Sequence, residues 1–384
     1  MDSSTQSIIN IIKKDNSLND EILLKKTIMK IKKCEKCQNE CFNLKTCEFC
    51  IKKYLEDRFL KWSSNNKEID EWIQNCQKNF LKPDFIVEWI PYNNLQDIQY
   101  VTQGSFNKVK AIWTEGKYEK WDYERQELKR FGPQVVTIKY INMNKEQWLQ
   151  EIKTHLLLSS TNSPVIRSYG LTKDYGNNNY MIITEIMPYN FKNYLQDNMN
   201  SLNWVQKFKI LLDIAESLGS VHNNKLIHGD LHSEIIGYST SREIWLIGDL
   251  RFCRPIDNPL NRNFGTMPYV SPEMLKQEQM TTNSDIYSFA MIMWELSTGV
   301  QPFEDKRSEL SAEIINGLRP NIMKGTPKSY SRLMEKCWDD DPSKRPDILI
   351  IQNEIKDILN NYFKNNMSQE EQAEMNSINY LKRN

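Results

Sequence analysis

The sequence predicts an α+β fold in two lobes, a β-rich one followed by a helical one, with a small Cys-rich, helical module ahead of both. Three observations carry this reading. Residues 101–113 (VTQGSFNKVKAIW), 135–139 (VVTIK) and 177–189 (NNNYMIITEIMPY) are short runs rich in β-branched and aromatic residues, the pattern of strands. Apolar residues at 204, 205, 208, 211, 212, 215, 218 and 221 fall on one helical face, and 284–303 (SDIYSFAMIMWELSTGVQPF) reads as a second, buried helix. Cys34, Cys37, Cys47 and Cys50 are spaced C-x2-C-x9-C-x2-C, two knuckle-like pairs ahead of the strands.

Length and charge bound the function. The 384 residues suit a two-lobed unit of about 260 residues plus an N-terminal module. Lys plus Arg and Asp plus Glu each number 50, so there is no global attraction to nucleic acid or to a membrane surface. The longest apolar runs fall short of the ~18 residues that span a bilayer. Eight cysteines without a preceding apolar leader imply reduced thiols and a cytoplasmic protein, with the nucleus left open.

Taken in order, residues 1–33 alternate apolar clusters with lysines and predict an amphipathic tail of one or two helices. The next segment, 34–50, has too few apolar residues to fold alone, so four thiolates closing on a structural Zn2+ would supply its stability. The alternative is a run of reduced cysteines capping a helix, and Cys41, inside the loop, leaves the choice of ligands open. No histidine is near and four thiolates leave no vacant position, which argues against a catalytic metal. Two helices follow, over 51–62 and from a start signalled by Asn65 with Glu68 three residues later, and Lys82-Pro83-Asp84 marks a linker. Residues 115–134 read as an extended hairpin.

Two stretches carry the chemistry. IHGDLHSEII, at 227–236, and IGDLR, at 247–251, deliver Asp230 and Asp249 to one place behind the apolar 204–221 helix. Upstream, Lys139 ends a buried strand, and Glu151 lies twelve residues later in the helical run EQWLQEIKTHLLL. A lysine ending a strand is more often an edge charge than a ligand, so the pair gains weight only from its partners.

In this order these stretches, with GTMPYVSPE at 265–273 and CWDDDPSKRP at 337–346, resemble the landmarks of the protein kinases over roughly residues 97–360. C-W-x6-R-P together with SDIYSFA is similar to the tyrosine-kinase-like branch of Ser/Thr kinases. The Cys-pair module and the F-L-K-W-S, I-D-E-W-I-Q and V-E-W-I-P-Y segments resemble the layout of an expanded fungal family of kinase-like proteins. The resemblance implies a bilobal protein-kinase fold: a tail at 1–33, the four-cysteine zinc-binding-like module at 34–50, a helical segment and linker at 51–85, an N-lobe at 97–187, a C-lobe at 188–363 and a tail at 364–384.

Carried over residue by residue, the likeness makes Asp230 the group that accepts the substrate hydroxyl proton and Asp249 the ligand of Mg2+. Lys139 and Glu151 would orient the ATP phosphates. Gly104 keeps one of three loop glycines, with Thr102 and Asn107 at the other two positions, and Val109 would roof the adenine. Thr184 would be the gatekeeper, and the backbones of Glu185 and Met187 would meet the base. His228 reads as a packed core residue. Asp285 would brace the catalytic turn, and Arg345 would pair with Glu273.

The departures are as specific. Ile235 stands where the family places a metal-binding asparagine, and Arg251 replaces the glycine of D-F-G. Gly237 stands where a side chain floors the adenine, and His232 where a lysine contacts the γ-phosphate. Gly229 replaces the arginine of H-R-D, and residues 250–265 contain no Ser, Thr or Tyr, so both halves of an activation-loop phosphate switch are missing. These losses favour an ATP-binding but catalytically impaired signalling protein, a pseudokinase that scaffolds or regulates a protein partner. The alternative is an active Ser/Thr protein kinase acting on protein substrates. Neither reading calls for nucleic acid or a membrane, and neither fixes the oligomeric state.

Overall fold

The computed structural model describes residues 32–41, 46–80, 82–101, 108–140, 145–160, 163–174, 176, 179–258, 265–304 and 310–366. The tail expected over 1–33 lies outside them except for its last two residues. So do Thr102, Gly104 and Asn107, and all of the C-terminal tail beyond residue 366.

The N-terminal module begins with β1 (Lys32–Lys33) paired antiparallel with β2 (Glu40–Cys41), followed by α1 (Glu48–Glu56). A helix over 51–62 was the expectation. The chain instead starts it three residues earlier and ends it at Glu56, and Phe59–Lys61 form a separate 3-10 turn. Arg58 closes α1: its guanidinium lies 3.3 Å from the Tyr54 ring centroid and donates to the Tyr54 carbonyl at 2.9 Å. The cap of α2 (Lys67–Lys78) is Asn66 rather than Asn65. Asn66 Oδ1 accepts from the amides of Glu68 at 3.0 Å and Ile69 at 3.4 Å, while Asn65 adopts φ +61° in the turn before it.

In the small lobe, β3 (Glu88–Trp89), β4 (Leu95–Val101), β5 (Lys108–Trp113), β8 (Gln134–Tyr140), β9 (Ser168–Asp174) and β10 (Asn179–Glu185) form one sheet in the order β3-β9-β10-β8-β5-β4, parallel only between β3 and β9. The two-residue side-chain period splits this sheet cleanly. Val109, Ala111, Val136, Ile138, Met181 and Ile183 pack together on one face. Ile182 and Leu171 face the other way, onto Ile152 and Leu156 of α3 (Lys145–Ser160), and Ile69 and Ile73 of α2 join that same cluster. The helix that carries Glu151 is therefore held between the sheet and α2.

The 115–134 segment is a hairpin of β6 (Tyr118–Asp122) and β7 (Glu127–Arg130). Tyr118, Trp121 and Leu128 pack with Cys34, Cys41, Cys47, Cys50, Ile51 and Leu55, so the hairpin is the seat of the cysteine module. Arg130 anchors its base, reaching Glu88 Oε2 at 2.6 Å and the Gly116 carbonyl at 2.7 Å.

The large lobe is built on α5 (Trp204–Asn223) and α7 (Thr282–Thr298), reached through β11 (Tyr189–Asn190) and α4 (Phe191–Asn198). Asn203 and Gln206 close a capping box at the start of α5. Between the two long helices lie β12 (Leu226–Ile227), β13 (Ile236–Ser239), β14 (Ile244–Ile247), β15 (Arg254–Pro255) and α6 (Pro272–Leu275). After them come α8 (Leu310–Ile315), α9 (Lys328–Cys337) and α10 (Ile348–Asn366). Their apolar faces meet in one core that includes Leu211, Ile214, Phe289, Ile292, Leu333 and Ile355. A buried bidentate pair, Arg345 Nη1 to Glu273 Oε1 at 2.7 Å and Nη2 to Oε2 at 2.8 Å, fastens the α9–α10 connection to α6.

Candidate functional site

A cavity of about 430 Å³ opens between the lobes, and Thr137, Lys139, Thr184, Glu185, Met187 and Asp249 are among its walls. Strand β8 supplies Lys139 on the face of the sheet that looks toward α3. Its ammonium pairs with Glu151 and lies 2.6 Å from Asp249 Oδ1. Glu151 is fully buried. Burial alone would raise its pKa, but the Lys139 ammonium and the adjacent His155 outweigh this and hold the carboxyl below its usual range.

Asp249 adopts a left-handed backbone, φ +54° and ψ +68°, at the start of a 3-10 turn. That turn brings Arg251 back onto it. Arg251 Nε donates at 2.8 Å to Oδ1 and at 3.0 Å to Oδ2, and Nη2 donates at 2.7 Å to Oδ2. Burial pushes the Asp249 carboxyl up, and Lys139 with Arg251 drives it far below the usual range, so it is a carboxylate held between two cations. Ile235, on the cavity wall, is buried in the large-lobe core.

Asp230 is not among the residues lining this cavity. It borders a smaller neighbouring pocket, where its Oδ1 accepts from the Thr266 amide at 2.7 Å and its Oδ2 lies 3.8 Å from His232 Nε2. Asp285 braces the turn before it, accepting from the amides of His228 at 2.8 Å and Gly229 at 2.9 Å and from His222 at 2.9 Å. His228 is fully buried, its Nε2 donating to the Gly248 carbonyl at 3.0 Å. Gly229 sits at φ +81°, a conformation that strains any other side chain, and a Cβ there would lie 2.6 Å from Met280 Sδ, so the family's arginine would fit this turn only with backbone strain and a shift of the Met280 tip.

At the hinge, the Glu185 carboxylate turns away from the cavity. It pairs with Arg242, and its oxygens accept from the Ser239 hydroxyl at 3.1 Å and the Arg167 amide at 2.9 Å. Val109 requires a correction. It does not roof the cavity but is fully buried on the opposite face of the sheet, because β5 pairs with β8 as Val109↔Ile138 and Lys110↔Thr137. The residue on the cavity wall is Lys110. Sequence reasoning missed this because a motif fixes spacing along a strand, whereas the inward face depends on the pairing register. Arg251 was legible only as a lost glycine. Its position two residues from Asp249 was the available signal for a contact.

The second site is the cysteine cluster. The Sγ atoms of Cys34, Cys37, Cys47 and Cys50 all lie within 4.8 Å of one another, with Cys34–Cys50 at 3.7 Å and Cys37–Cys47 at 3.5 Å. Four thiolates at Zn–S distances of about 2.3 Å would stand about 3.8 Å apart, so this donor set fits a tetrahedral ion. Cys41 is buried beside the cluster but outside it. The crowding is electrostatic as well. Burial pushes Cys47 up to about 12, while backbone amides outweigh burial at Cys34 and bring it to about 7. Four such groups become thiolates together only around a cation.

Two lobes with a Lys–Glu–Asp ion-pair group in the cleft between them define a protein-kinase-like domain. The family model described as "Protein tyrosine and serine/threonine kinase" matches residues 95–355, and the chain belongs to that family. Similar proteins come from Dictyostelium discoideum. Two described as "Probable LIM domain-containing serine/threonine-protein kinase" are each 27% identical, over 268 and 267 residues; each match covers 66% of this chain but only 39% and 26% of the relatives' own lengths. A third, "Probable serine/threonine-protein kinase roco5", is 26% identical over 306 residues, covering 75% of this chain and 10% of its own. Membership implies ATP, Mg2+ and protein substrates as the family's ligands. The cavity volume falls in the range of small-molecule sites. The Mg2+ position is another matter: both oxygens of Asp249 are engaged by cationic side chains, and Ile235 offers no oxygen.

Proposed function

We propose that this chain is a pseudokinase, a cytoplasmic signalling protein that binds ATP or a related nucleotide and serves a protein partner as scaffold or regulator rather than as a phosphotransferase. The observation that carries this reading is the Asp249 carboxylate, closed between Lys139 and Arg251, with an isoleucine in place of the second metal ligand. Loss of one preorganised ligand or donor in a phosphoryl-transfer site commonly costs about 10²- to 10³-fold in rate, and here several are altered together. In this reading Lys139 and Glu151 position the phosphates, while Thr184 and the backbones of Glu185 and Met187 hold the base. Cys34, Cys37, Cys47 and Cys50 hold a structural Zn2+.

A second reading, an active Ser/Thr kinase with Asp230 as base, is favoured by the intact Lys139–Glu151 pair and by the relatives described as Ser/Thr kinases. Phosphate incorporation by the purified chain with Mg·ATP and a generic protein substrate separates the two. The expected result is no transfer above the level of Asp230→Ala, and transfer that this substitution abolishes would reverse the conclusion. Metal analysis of reduced protein is expected to find one Zn2+ per chain.

A further inference from the structure

We propose that Arg251 takes the place of the divalent cation, so that this cleft binds an uncomplexed nucleoside di- or triphosphate without Mg2+. The inference rests on the nucleotide-binding reading above and names the form of the ligand.

An ionised carboxylate has about four lone-pair positions. Asp249 receives four contacts from cationic side chains: Lys139 Nζ and Arg251 Nε on Oδ1, and Arg251 Nε and Nη2 on Oδ2. A Mg2+ ion demands oxygen ligands at about 2.0–2.1 Å in octahedral array and would have to displace this guanidinium. Arginine cannot escape by losing its proton, and its planar fork meets the carboxylate in the geometry that suits it best. The other family ligand is Ile235, which packs with Leu231, Ile236 and Ile247 in the large-lobe core. Its side chain offers no oxygen, so Asp249 would have to carry the ion with water and phosphate oxygens alone, and its own oxygens are taken by Arg251 and Lys139.

One of the two positive charges that a divalent metal would bring is already covalently present in Arg251. Glu151, Lys139, Asp249 and Arg251 form a chain of alternating charge that is neutral in sum. Lys110 adds a further cation to the cavity wall. Arg251 is also fixed on its other side, since its carbonyl accepts from Arg254 Nη1 at 3.1 Å. The guanidinium, clamped on the Asp249 carboxylate that forms part of the cavity wall, is a preorganised charge beside the cavity that need not be recruited with the ligand.

The test is calorimetric titration of the full chain with ATP in EDTA and in excess Mg2+, repeated with Arg251→Gly, the family's own residue, and with Arg251→Gln. The wild type is expected to bind ATP in EDTA at least as tightly as with Mg2+. Both variants are expected to lose about tenfold or more in EDTA. Arg251→Gly, its carboxylate released, is expected to recover with Mg2+. Wild-type binding that requires Mg2+ would overturn the inference and leave nucleotide binding standing. No binding under either condition would remove both. The wild-type comparison decides the matter even if a variant does not fold.

Discussion

Gly237 faces the side chain of Met187 across the hinge: a Cβ at residue 237 would stand 2.8 Å from both Cβ and Cγ of Met187. The missing side chain at residue 237 and the methionine of the hinge are therefore one packing solution. Because Met187 Cβ is fixed by its own backbone, it cannot swing aside as a side-chain tip could. Gly237→Ala is expected to destabilise the protein by about 1–3 kcal/mol through overpacking. Met187→Ala leaves the Cβ contact but removes Cγ and Sδ, so the double variant should recover part of the loss. Chemical denaturation of the four proteins measures this, and strict additivity would show that the two residues do not share the space.

Removing the proposed Zn2+ should be felt in the hairpin, not only at the cysteines. Trp121 and Leu128 bury themselves against Cys34, Cys47 and Ile51, and Trp121 meets the Tyr54 ring edge-on at 5.6 Å. The 34–50 segment has few apolar residues of its own, so binding of the proposed ion and folding of this cluster would be one equilibrium. Chelation, or Cys37→Ser, is expected to raise amide hydrogen exchange over 118–130 as well as over 34–56, with little change in the large-lobe helices α5 and α7. Protection retained at 118–130 would mean the hairpin stands without its module.

Much of this was legible in the chain. Periodicity found α5 because its apolar positions are those that meet the large-lobe core, and motif order placed Lys139, Glu151 and Asp249 together because each sits on or beside an element whose direction is fixed by neighbours. What escaped was set by pairing between distant segments. Val109 and Lys110 exchange faces according to one register choice with β8. The hairpin at 115–134 showed its alternation but not its partner, since nothing local to it names a cluster of cysteines far upstream. Arg251 carried the same limit: a missing glycine is visible in sequence, and the salt bridge that replaces it is not.

Glu295 gives the large lobe a pH dependence of defined sign. It is buried on α7, where the Tyr269 hydroxyl donates to Oε2 at 2.6 Å, and burial raises its pKa from 4.5 to about 7. Between those values the folded protein binds a proton that the unfolded chain has released. Stability from this group is therefore complete below about pH 4.5 and is lost as pH rises through about 7. Asp213, pushed to about 6 by burial, slopes the same way, whereas Glu273 and Asp249, with lowered values, slope the other way and only at the acid end of this window. Glu295→Gln keeps an oxygen for Tyr269 and cannot titrate. Its unfolding free energy is expected to fall less steeply than the wild type between pH 4.5 and 7, and parallel profiles would show that Glu295 is ionised throughout.

The position of Glu151 depends on a residue outside the matched domain. Ile73 of α2 is fully buried in the cluster that holds Ile152 and Leu156 of α3, on the turns flanking Glu151. Ile73→Ala should destabilise the protein by about 2–5 kcal/mol, as large-to-small core changes do. Ile355→Ala, equally buried in the large-lobe core, should cost a similar amount. The two differ in what they loosen. A cavity under α3 lets Glu151 drift from Lys139, and the ammonium then loses one of the two carboxylates that hold it in the cleft. Ile73→Ala is therefore expected to weaken nucleotide binding severalfold at a temperature where both variants remain folded, while Ile355→Ala leaves it unchanged. Equal affinities in the two variants would mean that α2 supports the small lobe without setting the geometry of its ion pair.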